Sequence, residues 1–360
     1  MRYRTKKRRK MPEVLDIDKL VRPLVRNLKP YASARDEYSG SGSGMDFLDA
    51  NENPFENGVN RYPDPHQRTV KKAIARFRGV PEESLLLGNG SDEVLDLLFR
   101  VFCEPGQDAA ITLPPTYGMY SVLAEINGVE NIRVPLTPDF QLNVPAILEA
   151  VQPRAKLLFI CSPNNPSGNS MARAGVIQLL EAFPGLVVID EAYIDFTGEP
   201  GFAGLMGEHK NLVVTQTFSK ALGMAGIRLG VCMAHPEVIG YLTRVKPPYN
   251  VNELTQQRAL QGLAQSEAIR EHVEVLNRER EGLRQGLESI SFVSGIFPSD
   301  ANFLLVRVDD AHARYAQLID KGIVVRNRSG QLHCENCLRI TVGTPQENQR
   351  LLRVLNELSK

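Results

Sequence analysis

Neither sign of charge prevails in this chain of 360 residues: Lys and Arg together number 42, and so do Asp and Glu. A nucleic-acid-binding protein would ordinarily carry a basic excess to meet phosphates, so that class is set aside. No apolar run approaches the roughly 18 residues that a membrane-spanning helix needs, and the first residues lack the apolar stretch of a secretory signal. Cysteine is scarce and odd in number, at positions 103, 161, 232, 334 and 337. That argues against a disulfide framework and for a reducing cytoplasm. Cys334 and Cys337 form a lone CxxC with no second pair and no histidine cluster nearby, so no zinc, redox or other metal centre is expected. No internal repeat is visible.

The charge balance conceals an asymmetry. The first ten residues, MRYRTKKRRK, hold seven basic residues, which against a net of zero leaves −7 for residues 11–360. Without aromatic interleaving or an amphipathic helix, this run reads as a disordered tail or an extension ahead of Met11, rather than a polyanion-binding arm. Residues 13–29 have the pattern of a short amphipathic helix, and YSGSGSGM (38–45) that of a flexible linker.

From residue 80 short apolar runs alternate with segments of helical period: LLL (85–87), AAITL (109–113), KLLFIC (156–161), LVVID (186–190) and NLVVTQ (211–216). Between the first two, Val94, Leu95, Leu97, Leu98, Val101 and Phe102 share one helical face. The pattern is that of an α/β protein whose mainly parallel sheet is covered by helices on both faces. Near residue 250 it changes to a long polar helical stretch (253–288), then SFVSGIFPSDANFLLVRVD, a helix from about 311, and strands near 323–326 and 337–342. The expected organisation is a basic tail over 1–12 and an arm over 13–50 that joins the smaller domain in space. A large domain over 51–255 and a smaller α+β domain over 256–360 complete it.

In open α/β sheets, ligands bind beyond the carboxyl ends of the strands. There GNGSDE (88–93) opens a helix, with Ser91 and Asp92 as capping residues and free backbone N–H groups suited to a phosphate. PPTYGMY brings Tyr117, SPNNPSG (162–168) brings Asn165, and LVVID ends in Asp190, a carboxylate costly to bury unless a cation meets it. NLVVTQ leads into TFSKALGMAGIRLG (217–230) with Ser219, Lys220 and Arg228, where glycines 223, 226 and 230 would let the backbone turn tightly. A phosphate cradle, an aromatic ring, an amide, a carboxylate and a lysine together suit pyridoxal 5′-phosphate. The lysine forms a Schiff base, and the carboxylate keeps the ring nitrogen protonated so that the ring acts as an electron sink.

NENP (51–54), RYPDP (61–65), GNGSDE, PPTYGMY (114–120), SPNNPSG, DEAYIDF (190–196), TFSKALGMAGIRLG, Arg326 and Arg339 occur in that order over about residues 20–340. With them the chain resembles the fold-type I pyridoxal-phosphate-dependent aminotransferases of class II. NLKPYASARDE (27–37) narrows the resemblance to the histidinol-phosphate aminotransferase family. The resemblance implies that Lys220 holds the cofactor and acts as general acid–base. Asp190 would face the ring nitrogen, Tyr193 and Asn165 the phenolic oxygen, and Tyr117 the ring. Gly90, Ser91, Asp92, Ser219 and Arg228 would hold the phosphate, joined by Tyr62 from a neighbouring subunit, hence a homodimer with shared sites. Arg339, Arg326 and Tyr31, with Asn165, would bind substrate. The implied reaction exchanges an amino group between L-glutamate and imidazole-acetol phosphate, giving 2-oxoglutarate and histidinol phosphate, in cytoplasmic histidine biosynthesis. Arginine suits a site that alternates phosphate and carboxylate, because its fork binds both. One departure is mild: Ser167 stands where threonine is commoner.

An aromatic amino-acid aminotransferase or a threonine-phosphate decarboxylase would keep the same catalytic residues, leaving Tyr31, Arg326 and Arg339 to decide. A hydrolase dyad of Ser219 and Lys220 is disfavoured, because adjacent residues of a strand-like segment point apart. A regulator's cofactor-binding domain would need an attached DNA-binding module, for which no stretch is long enough.

Overall fold

The computed structural model describes residues 15–29 and 45–360; the basic run, Tyr31 and nearly all of the Gly/Ser linker lie outside the described residues. Seven strands form the first sheet: β1 Leu85–Asn89, β2 Ala109–Thr112, β3 Glu130–Arg133, β4 Ala155–Cys161, β5 Leu186–Asp190, β6 Leu212–Thr217 and β7 Leu229–Ala234. They are ordered β1-β7-β6-β5-β4-β2-β3. The run from β3 to β6 is parallel, whereas β7 is antiparallel to both β6 and β1. The sheet is thus mainly parallel, in an α/β arrangement.

Strand parity divides the apolar residues between two cores. Leu158, Ile160, Val187, Ile189, Leu212 and Val214 pack on one face, under helices Arg68–Arg78, Arg173–Ala182 and Glu253–Ala264. Leu157, Phe159, Leu186, Val188 and Val213 pack on the other, under Ser91–Phe102, Met119–Ile126 and Pro236–Val245. The apolar face expected within residues 93–102 is wholly buried, and Phe99 joins it. Each such side chain contributes about 1.5–3 kcal/mol. Because β4, β5 and β6 are covered on both sides, their sequences read as continuous apolar runs rather than alternating ones.

Four more strands, β8 Val293–Ile296, β9 Phe303–Val308, β10 Arg326–Asn327 and β11 Cys337–Thr341, form an antiparallel sheet in the order β10-β11-β9-β8. Helices Ser266–Glu288, Ala311–Asp320 and Pro345–Glu357 cover one of its faces over Leu304, Val306, Leu338 and Ile340. The other face turns Phe303, Leu305 and Cys337 toward the first sheet's core. Arg339 shares the parity of Cys337 and therefore points to the same side.

Several expectations change. The segment 13–29 is not one helix over its described part: Pro23 bars the helical conformation at Arg22, leaving two four-residue turns, Ile17–Leu20 and Pro23–Arg26. Residues 15–29 join the first sheet's helices rather than the smaller sheet. Ile17, Val21 and Val25 are buried there, and the Arg22 N–H donates to the Val101 carbonyl at 3.0 Å. The polar helical stretch 253–288 breaks at Gln265 into Glu253–Ala264 and Ser266–Glu288. Among the described residues no helix is long and apolar enough to cross a membrane.

Candidate active site

The carboxyl ends of β4, β5 and β6 and the start of helix Ser91–Phe102 open onto a cavity of about 730 Å³, closed on its far side by residues of β10 and β11. Of the residues expected from sequence, Ser91, Asp92, Tyr117, Asn165, Asp190, Tyr193, Ser219, Lys220, Arg228, Arg326 and Arg339 line it together. Gly90 lies directly beside it, at the cap of the same helix.

Asp190 ends β5 and is 3% exposed. Its Oδ2 accepts from the Tyr120 hydroxyl at 2.8 Å and its Oδ1 from the Ala192 N–H at 3.1 Å. Burial raises its carboxyl to about 6 against the pull of these donors. The neighbouring Glu191 faces away, accepting from the Phe202 N–H at 2.5 Å and Gln216 Nε2 at 2.8 Å. It braces the following loop and takes no part in the cavity. Tyr120 escaped the sequence reading because it sits at a fully buried, core-like position of helix Met119–Ile126. Its only signal was its place in PPTYGMY.

Lys220 lies in a turn three residues beyond β6, not on a strand, which corrects the strand-like geometry assumed for Ser219 and Lys220. The Ser219 N–H donates to Thr217 Oγ1 at 3.1 Å, and the Lys220 carbonyl accepts from the Gly223 N–H at 2.9 Å. The Lys220 side chain opens into the cavity, its Nζ 5.6 Å from the centre of the Tyr193 ring. Partial burial, then the positive charge of Arg339, holds the amine below its ordinary lysine value, opposed by Asp190. Tyr193 is buried, and its phenol is raised mainly by desolvation. The Tyr117 hydroxyl donates to Asp92 Oδ1 at 3.0 Å, holding its ring on the cavity wall.

Gly90, with φ of 81°, takes the helix-cap position expected for Ser91 and Asp92, which are instead the first two helical residues. Only glycine adopts this conformation without strain. The N–H groups of such a first turn have no intrahelical acceptors and present a positive dipole end. Arg228, in the left-handed region at φ of 55°, reaches over the same turn and donates to Ser219 Oγ at 3.4 Å. Of the three glycines expected to supply turning freedom, Gly223 does so at φ of 67°. Gly230 instead permits close approach, since a Cβ there would stand 2.3 Å from the Ser91 nitrogen. A Cβ on Gly226 would meet nothing within 4 Å.

At the outer end, Arg326 and Arg339 are paired across the β10–β11 ladder, like charges facing each other. Arg339 Nη1 donates to Asn165 Oδ1 at 2.5 Å, tying the second sheet to the first. Arg328 and Gln331 also line this end and were not singled out from sequence. The signal for Arg328 was the R-N-R spacing, which puts two arginines on one face of a strand; Gln331 carried none. Tyr62 is not in the cavity: it is half exposed, stacked on Tyr249 at 4.5 Å, and lines a separate groove with Asn252 and Leu254.

Residues 49–355 match the family model described as aminotransferase class I and II. Over 345 residues the chain is 55% identical to the histidinol-phosphate aminotransferase of Flavobacterium johnsoniae, covering 96% of this chain and 99% of that protein. It is 51% identical over 343 residues to the histidinol-phosphate aminotransferase of Parabacteroides distasonis, covering 95% and 99%. Two solved structures share the fold. Histidinol-phosphate aminotransferase from Clostridium acetobutylicum has a TM-score of 0.78 at 24% identity, covering 84% of this chain and 91% of that one. The Sinorhizobium meliloti enzyme, in complex with pyridoxal-5′-phosphate, has a TM-score of 0.76 at 24% identity, covering 83% of each.

Proposed function

The chain belongs to the aminotransferase class I and II family, and from that premise we propose that it transfers an amino group between L-glutamate and imidazole-acetol phosphate, giving 2-oxoglutarate and histidinol phosphate. The observation that carries this reading is the cavity's polarity: a lysine and a buried carboxylate at the inner end, arginines on facing strands at the outer end.

The cofactor is pyridoxal 5′-phosphate, and the residues present fit it. Asp190 is buried and forms no ion pair among the described residues, a state that a protonated ring nitrogen would relieve. The Gly90–Ser91 turn, Ser219 and Arg228 form a cradle of donors for its phosphate. When bound, the cofactor supplies an electron sink for charge developing at the substrate α-carbon.

The remaining work falls to the chain. Lys220, with its lowered amine, would hold the cofactor covalently, and the same amine is the general base for the proton of the substrate α-carbon. Asp190, oriented by Tyr120 and the Ala192 N–H, keeps its charge toward the ring nitrogen. Tyr193 and Asn165 would hold the ring's phenolic oxygen, and Tyr117 would pack against the ring. Ser91 and Asp92 offer backbone N–H groups to the phosphate, whereas the Gly90 N–H expected to join them is taken by the Arg228 carbonyl at 2.8 Å and the Asp92 carboxylate by Tyr117. Arg339, Arg326 and Asn165 bind the substrate's anionic group, with Tyr31 completing that pocket.

Tyr62, remote from its own cavity and exposed, reaches the cofactor phosphate of a partner subunit. The working unit is therefore a homodimer with shared sites, acting in the cytoplasm. The first sheet forms the large cofactor-binding domain (51–255) and the second the smaller one (256–360), a division supported by their separate sheets.

The purified protein should be yellow when loaded with pyridoxal phosphate, and histidinol phosphate added alone should bleach the band in a single turnover. Lys220→Ala should lack the band of the covalently held cofactor. A wild type that stays colourless and inactive with added cofactor refutes the reading.

A further inference from the structure

Three arginines face the outer end of the cavity, and the third has no part in the roles above. Arg326 and Arg328 lie two residues apart along β10 and its continuation, so their side chains leave the same face. The Arg328 N–H donates to the Cys337 carbonyl at 2.8 Å, carrying the β10–β11 ladder past Asn327 and setting Arg328 diagonally across from Arg339. The chain then folds back. The Ser329 N–H donates to Asn327 Oδ1 at 2.9 Å and the Gln331 N–H to the Arg328 carbonyl at 2.9 Å, which returns Gln331 to the cavity wall.

This corner is built but unsatisfied. The buried Nε atoms of Arg328 and Arg339 and the Oε1 of Gln331 have no hydrogen-bond partner. No carboxylate is among the groups that set the charge state of Arg328 or Arg339. Burial, then Arg339 and Arg326, pulls Arg328 down to about 10, against the assistance of Tyr193. Placing three guanidiniums together without counter-charge is unfavourable unless an anion of more than one charge arrives. A carboxylate has one charge and two oxygens, which the fork of a single arginine can satisfy. A phosphate monoester carries about −1.5 to −2 at neutral pH and three acceptor oxygens.

We propose that Arg328 is a specificity-determining residue that, with Arg326 and Arg339, completes a three-arginine corner favouring a dianionic phosphate monoester over a carboxylate. The inference rests on the substrate reading given above and deepens it.

The test uses the holoenzyme and reads the two half-reactions separately from the cofactor absorbance. Arg328→Gln should lose about 10- to 100-fold in kcat/KM for histidinol phosphate, the scale of one charged hydrogen bond. The glutamate half-reaction, which also reports correct folding, should change by less than about threefold. Arg328→Lys should recover part of the loss, and inorganic phosphate should inhibit the Gln variant correspondingly less than the wild type. Equal losses with both donors, or no loss with histidinol phosphate, would overturn the role of Arg328. A wild type that uses glutamate but not histidinol phosphate would overturn the substrate reading, and this inference with it.

Discussion

The two ends of the cavity are built on opposite principles. At the inner end, on the first sheet, the buried carboxylate of Asp190 has a donor on each oxygen, and Tyr117 and Asp92 hold each other. At the outer end, on the second sheet, Arg326, Arg328 and Arg339 crowd together with buried Nε atoms unpartnered on two of them. A satisfied network is fixed in one geometry, which suits a resident that stays from turnover to turnover. An unsatisfied cluster of like charge waits for a ligand, which suits substrates that alternate.

That contrast can be broken from either end. Lys220→Ala, at the inner end, should cut turnover on the order of 10⁴-fold with every amino donor, because proton transfer and covalent attachment are lost together. Arg339→Lys should cut kcat/KM about 100-fold while leaving the cofactor spectrum unchanged, since a lysine keeps the charge but not the fork. Equal spectral damage from both variants would mean that the ends are not separable.

The sign of a pH effect sharpens the comparison further. Burial raises Asp190 from 3.8 to about 6, so its contribution to stability is full below pH 4 and is lost as pH rises through 6. At 1.36 kcal/mol per unit, the cofactor-free protein forfeits about 3 kcal/mol by neutral pH. Asp190→Asn should therefore stabilise the cofactor-free protein at pH 7.5 in a urea titration, with the gain shrinking toward pH 4, while abolishing most activity. A gain independent of pH would remove the buried charge from the account. The smallest effect is expected from Tyr120→Phe, which removes one donor to Asp190. It should lower kcat roughly fivefold, and in the cofactor-free protein move the pH midpoint of the stability loss upward, the donor having favoured the charged form.

Much of the inner end was legible in the sequence, because residues that carry chemistry stand out at the ends of apolar strands. Asp190 closing LVVID, and Lys220 after NLVVTQ, needed only the rule that ligands bind at carboxyl strand ends. The direction of β7 was not legible: LGVCMA is equally apolar whether it runs parallel or antiparallel. β3, with the polar sequence ENIR at the sheet's edge, gave no hydrophobic signal at all. Tyr120 looked like core because it is core, and its hydroxyl becomes functional only through a contact seventy residues away in sequence. At the outer end Arg326 and Arg339 came from resemblance. Their pairing across a ladder, and with it the place of Arg328, appears only once β10 and β11 are in register.

The choice of amino donor distinguishes this enzyme from its alternatives most directly. Histidinol phosphate, tyrosine, phenylalanine and threonine phosphate should be compared by kcat/KM on the pyridoxal-phosphate-loaded wild type. A preference for histidinol phosphate of at least about tenfold over each of the others, corresponding to about 1.4 kcal/mol, is the predicted result. Phenylalanine or tyrosine used far better, or decarboxylation of threonine phosphate in place of transamination, would contradict it.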